Sequence, residues 1–181
     1  MDRRSFLRRL CQAGALTALG GAAGLGYANR IERFNYAITE VAIPLQNLAL
    51  ALNGLRIVQL SDFHVEDTGL AYLERVVDEV NGLEPDLIAL TGDFVSHDAD
   101  AARDLAPVLK ELKAPHGVFA CLGNHDAWSG AARVRRHLEQ QGLPVLVNEH
   151  VSAKVGAATL DIAGLASAWG DRPNLVRHYR T

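Results

Sequence analysis

The sequence predicts an α/β fold with a mostly parallel sheet and flanking helices. Short runs that are apolar at nearly every position, such as Leu55–Leu60 (LRIVQL) and Asp86–Leu90 (DLIAL), alternate with longer stretches whose apolar residues recur at the helical period. A strand covered on both faces reads as such a run, and parallel strands need a crossover that is usually a helix. A further observation concerns the ends of the runs. Three of them close on acids, imidazoles or amides, and open parallel sheets collect ligands beyond the carboxyl ends of their strands.

The elements follow in order. Ala37–Leu45 (AITEVAIPL) is β-leaning and closed by Pro44, and Asn53-Gly54 marks a turn. Leu55–Leu60 is the first buried strand. Leu70, Leu73, Val76, Val77 and Val80 share one helical face, with Asp67 or Thr68 placed to cap its start and Asn81-Gly82 to end it. Asp86–Leu90 is the next strand. Ala101, Leu105, Val108, Leu109 and Leu112 mark a second helix, closed before Pro115. Gly117–Leu122 (GVFACL) is a third strand. Ser129 is placed to cap a third helix, with Val134 and Leu138 facing inward and Gly142 as its stop. Leu143–Asn148 (LPVLVN) and Ala158–Ala166 (ATLDIAGLA) are the fourth and fifth strands.

The bulk numbers fit one folded domain. The chain has 181 residues, 49% hydrophobic and 22% charged, with no internal repeat or low-complexity tract. The net charge is −3, unevenly spread. Residues 1–28 hold four arginines and one acid, which leaves 14 bases against 20 acids, or −6, in the remainder. That balance excludes wrapping a nucleic-acid backbone, which needs a basic stripe. A small anionic substrate stays compatible if a metal supplies positive charge. Cys11 and Cys121 are the two cysteines, so no disulfide framework is available, and Cys121 reads as a small buried residue.

Residues 1–28 read as an address rather than a domain. Arg3-Arg4 is followed by Ser5-Phe6-Leu7 and by a mildly apolar stretch from Leu10 to Ala28, interrupted by Gly14, Gly20, Gly21, Gly24 and Gly26. This resembles a twin-arginine export signal. The stretch is also near the length of one membrane span, so retention as an uncleaved anchor is the alternative. The resemblance implies recognition by the twin-arginine translocase, a location at the periplasmic or extracytoplasmic membrane face, and a domain over residues 29–181.

The strand ends gather Asp62, His64, Asp93, Asn124, His125 and Asp126. This mixed oxygen and nitrogen set suits Mn, Fe or Zn better than Ca, which prefers oxygen alone. Three carboxylates converging without a cation would repel each other and be costly to desolvate. A metal removes that cost.

The blocks SDFH (Ser61–His64), TGDF (Thr91–Phe94) and GNHD (Gly123–Asp126) resemble, in order and placement, those of the calcineurin-like metallophosphoesterase family. The resemblance runs from about Gly54 to Ala166, and is greatest to the exported bacterial branch that carries a twin-arginine leader. It implies two divalent ions, Mn, Fe or Zn. Asp62 and His64 would hold the first, Asp93 would bridge both, and Asn124 would reach the second. His125 would face the scissile phosphate and assist the leaving oxygen, with Asp126 orienting its imidazole. Gly92 and Gly123 would allow tight turns. The implied reaction is hydrolysis of a small phosphorylated or phospholipid-like ester by a metal-activated water.

Past Ala166 the resemblance stops. The family pattern continues with a further His and a Gly-His-x-His block, and neither is found here. The expectation is the amino-terminal part of an α/β/β/α sandwich, incomplete at its carboxyl end and with an apolar face exposed. The rival reading is a truncated or degenerate metal-binding protein without catalysis. His97 could touch substrate, Trp128 could line a pocket or pack in the core, and Arg133–Arg136 (RVRR) reads as the wet face of a helix.

Overall fold

A computed structural model describes residues 37–174. The chain divides between Pro44 and Leu45. Residues 37–44 carry no regular element: the β-leaning Ala37–Leu45 forms no strand, and Ile38, Val41 and Ile43 lie exposed. An alternating run becomes a strand only where a neighbour takes its backbone hydrogen bonds, and none of the described residues does.

From Leu45 onward the elements are a 3-10 turn at Leu50–Leu52, then β1 (Ile57–Leu60), α1 (Val65–Thr68), α2 (Leu70–Gly82), β2 (Leu87–Leu90), a second 3-10 turn at Ala99–Ala101, α3 (Ala102–Leu109), β3 (Val118–Ala120), α4 (Asn124–Gln140), β4 (Glu149–Val155) and β5 (Ala158–Gly164). Strands β1, β2 and β3 form a parallel sheet in that order. Leu60 pairs with Leu90 and Leu90 with Ala120, so all three strands end at one level.

The core lies between this sheet and the helices. Ile88 and Leu90 of β2, Leu105 and Leu109 of α3, and Val134 and Leu138 of α4 are almost fully buried. Each such side chain contributes about 1.5–3 kcal/mol of hydrophobic stabilisation. The expected burial of both strand faces holds for β2 but not for β1, where Ile57 is 52% exposed.

Several boundaries differ from expectation. Gly69, not Asp67 or Thr68, is the N-cap of α2, because the Asp67 carboxylate is engaged by Ser96 instead. Helix α4 starts at Asn124, before Ser129, and is broken at Gly130, whose φ of 130° only glycine adopts readily. Leu143–Asn148 forms one parallel bridge, Ala120 with Val145, rather than a strand. Glu149–Val155 is a strand that the apolar pattern did not show. It pairs antiparallel with β5 through a two-residue turn at Gly156-Ala157. Among the described residues no helix is long and apolar enough to cross a membrane, and residues 1–28, expected to be an export leader, lie outside them.

Candidate metal centre

The site grows from the shared end of the strands. Two residues past Leu60 lies Asp62, three past Leu90 lies Asp93, and four past Ala120 lies Asn124. The loops stay paired beyond the sheet: Asp62 N–H donates to Gly92 O at 3.0 Å, His64 N–H to Asp93 O at 3.0 Å, and Val65 N–H to Phe94 O at 3.1 Å. Beneath them Phe63 and Phe94 are buried and stack with centroids 5.2 Å apart. These apolar residues anchor the loops from below while the polar residues between them reach the site.

The backbone is held in an uncommon form there. Asp62, His64 and Asp93 have φ of 57°, 40° and 53°, all in the left-handed region. That region costs an L-residue about 1–2 kcal/mol. Three such residues in a row of loops is strain concentrated where ligands would bind.

Gly92 and Gly123 bring the second and third loops together. A Cβ on Gly92, whose φ is 97°, would meet Gly123 N at 2.2 Å, and one on Gly123 would meet Asp93 Oδ1 at 2.1 Å. Gly92 therefore serves the expected turn. Gly123 has φ −87° and is extended, so it provides close approach, not a tight turn.

His64, Asp93 and His125 each offer a donor atom, all within 4.8 Å of one another. His64 Nε2 lies 3.8 Å from Asp62 Oδ1 and 4.0 Å from Asp93 Oδ2. Asp62 is the exposed member, with 67% of its side chain accessible against 13% for Asp93. The two imidazoles meet edge to face at 4.7 Å. Asn124 opens α4 beside His125, and among the described residues its side-chain amide has no protein partner.

Hydrogen bonds fix which ring nitrogens are free. His125 Nδ1 lies 2.8 Å from Ser96 O. A carbonyl only accepts, so Nδ1 carries the proton and Nε2 is the free nitrogen. Ser96 Oγ–H donates to Asp67, so the same oxygen accepts from His64 Nδ1–H at 3.2 Å. His64 Nε2 is then an acceptor facing two carboxylate oxygens. Three acceptors at 3.8–4.0 Å cannot bond one another, but the gap suits a cation with bonds of about 2.1 Å to each side. The donor set fits a divalent ion.

Asp126 departs from its expected part. It does not touch the imidazole of His125, whose Nδ1 is taken by Ser96 O. Its fully buried carboxylate instead accepts from Asp93 N–H, Phe94 N–H and Gly123 N–H at 2.9 Å, and Val95 N–H at 3.3 Å. Burial pushes its carboxyl above the usual range, against these N–H groups, and the neighbouring Asp93 charge adds to the rise. Asp126 is thus a tie between the second loop and α4, with Asp93 Oδ1 returning a bond to His125 N–H at 2.9 Å.

Sequence reasoning missed Ser96, Glu66 and Asp67. Glu66 Oε1 and Oε2 accept from Ser96, His97 and Asp98 N–H at 2.8–3.1 Å. Its slight burial works to raise the carboxyl, yet the three N–H groups outweigh this and hold it at about 2. Cys121 is half-buried, and burial and the Asp126 charge push its thiol up. Trp128 is exposed rather than part of the core, with its ring 5.1 Å from that of His125. Trp169 packs against it at 5.7 Å.

Comparison with known proteins agrees with this geometry. The chain is 34% identical over 145 residues to the "Uncharacterized metallophosphoesterase YkuE" of Bacillus subtilis (78% of this chain, 51% of the relative). It is 39% identical over 116 residues to the "UDP-2,3-diacylglucosamine pyrophosphatase LpxG" of Chlamydia muridarum (62% and 35%). It is 35% identical over 115 residues to the "Transmembrane protein with metallophosphoesterase domain" of Danio rerio (62% and 26%). The chain thus spans about half or less of the length of these relatives. A family model described as "Calcineurin-like phosphoesterase" matches residues 55–175, the span that holds all three loops, and the chain belongs to that family.

Proposed function

We propose that this chain supplies the metal-binding core of a phosphoesterase that hydrolyses a phosphomono- or phosphodiester outside the cytoplasmic membrane. The observation that carries the reading is the convergence of His64, Asp93 and His125 donors within 4.8 Å at the shared end of three strands. Asp62 and His64 would hold one ion, Asp93 would bridge to a second, and Asn124 would offer the second ion its side-chain amide, which has no partner among the described residues. Two divalent ions, Mn, Fe or Zn, supply Lewis acidity and positive charge for the phosphate oxygens. His125 takes up a proton at Nε2, since Nδ1–H stays on Ser96 O, and gives it to the leaving oxygen. Asp93 steadies His125 through the backbone, and Asp126 steadies Asp93.

The Arg3-Arg4 leader supports export by the twin-arginine translocase and action at the membrane face. The pyrophosphatase named among the relatives supports a phosphorylated, lipid-like substrate. A second reading is metal binding without turnover. It rests on the same His64, Asp93 and His125 donors, which can hold an ion whether or not an ester is cleaved.

Metal analysis after expression with Mn²⁺, together with hydrolysis of a bis-nitrophenyl phosphodiester, tests the proposal. Bound Mn²⁺ and a rate abolished by Asp93→Ala and strongly cut by His125→Ala support it. Bound metal with no hydrolysis supports the second reading. A protein that takes up no metal defeats both.

A further inference from the structure

We propose that Ser96 is a positioning residue that sets the proton on both imidazoles of the site, one through its hydroxyl and the other through its carbonyl. Ser96 lies three residues past Asp93, and each of its polar atoms is engaged. Its N–H donates to Glu66 Oε2 at 2.8 Å, and its Oγ–H donates to Asp67. The same Oγ accepts from His64 Nδ1 at 3.2 Å, and its carbonyl accepts from His125 Nδ1 at 2.8 Å. The two imidazoles come from different segments, His64 from the loop after β1 and His125 from the first turn of α4, and Ser96 belongs to the loop after β2.

The consequence is chemical. A carboxylate accepts only, so Asp67 determines that the Ser96 hydroxyl points its hydrogen away from His64. His64 must then carry its proton on Nδ1, which frees Nε2 toward Asp62 and Asp93. Among the described residues no other group bonds His64 Nδ1, so without the hydroxyl that tautomer loses its support, and the alternative puts a proton where an ion would bind. Partners of this kind typically change metal affinity by about 10–100-fold. Glu66 fixes the loop itself by taking three successive N–H groups, so Ser96 is held from α1 independently of any ion.

The two contacts of Ser96 can be separated by substitution. Ser96→Ala removes the hydroxyl and keeps the carbonyl, and Ser96→Thr restores a hydroxyl. The effect on affinity rests on the metal-centre reading above, whereas the tautomers do not. Long-range ¹H–¹⁵N spectra of the metal-free full chain at about pH 8, above the ordinary imidazole range, read both rings. The wild type shows Nδ1–H for His64 and His125. Ser96→Ala moves His64 toward Nε2–H and leaves His125 unchanged, and Ser96→Thr returns His64 to Nδ1–H. Mn²⁺ calorimetry on the same proteins shows affinity reduced about 10–100-fold in Ser96→Ala and regained in Ser96→Thr. A His64 tautomer indifferent to Ser96→Ala, or both rings changing together, overturns the proposal. A wild type that binds no Mn²⁺ yet shows the His64 shift supports the tautomer assignment and defeats the metal-centre reading instead.

Discussion

The buried carboxylate of Asp126 accepts the backbone N–H of Phe94 at 2.9 Å, across 32 residues of chain. With three further N–H groups on the same side chain, it ties the Asp93 loop to the start of α4. Asp126→Asn turns one acceptor oxygen into a donor facing backbone donors. A loss of about 2–4 kcal/mol is expected, since buried bonds to a charged group contribute about 1.5–3 kcal/mol and orphaned donors keep their desolvation cost. Urea unfolding of the metal-free protein measures it. A variant as stable as the wild type would show that the tie carries no stability.

Gly92 and Gly123 separate backbone strain from crowding. Gly92→Ala combines a φ of 97° with a Cβ 2.2 Å from Gly123 N, so a loss of about 2–4 kcal/mol is expected. Gly123→Ala has no adverse φ, but its Cβ falls 2.1 Å from Asp93 Oδ1. The smaller stability loss, about 1–3 kcal/mol, comes with a disproportionate fall in Mn²⁺ affinity, because the displaced group is the proposed bridge. Calorimetry and thermal unfolding on both variants check the order. Equal affinities in the two would remove Asp93 from the centre.

How much of this was legible in the sequence follows from which atoms do the work. Leu60, Leu90 and Ala120 share one level because apolar runs and helical crossovers were visible, so the acids following them could be brought together on paper. Strand β4 was hidden because His150, Ser152 and Lys154 keep one face wet, and its pairing with β5 is a hairpin property. Leu143–Asn148 was read as a strand from apolarity, yet only Val145 bridges to Ala120. Asp126 was legible as a site acid but not as a structural tie, since its partners are backbone N–H groups with no residue signature. Ser96 was illegible for the same reason, as two of its contacts come from its own main chain.

Acid should weaken one surface cluster in a defined window. His137 Nε2 lies 3.2 Å from Asp100 Oδ1, with Arg133 and Arg103 at 3.4 and 3.5 Å from the same carboxylate. The His137 hydrogen bond, opposed by desolvation and aided by the Arg133 and Arg103 charges, holds the Asp100 carboxyl below its usual 3.8. A depressed carboxyl adds stability above the unfolded value and loses it as the pH falls through the folded one. The Tm difference between wild type and Asp100→Asn is therefore full near neutrality and shrinks as the pH drops below 3.8. A difference that persists unchanged into strong acid would assign the effect to shape rather than charge.

Trp128 gives the centre an optical reporter. Its ring stands 5.1 Å from that of His125 and is 58% exposed, while Trp169 stands a further 5.7 Å away. Mn²⁺ is paramagnetic and quenches nearby indoles by contact and short-range transfer. Titration with Mn²⁺ should therefore quench Trp emission, Trp128→Phe should remove the larger share, and Trp169→Phe the smaller. Both are surface changes, so stability should stay within about 0.5 kcal/mol. The signal should saturate at the same Mn²⁺ concentration as calorimetry and vanish in Asp93→Ala. Quenching that survives Asp93→Ala would place the ion elsewhere, and quenching unchanged in Trp128→Phe would mean that His125 does not face it.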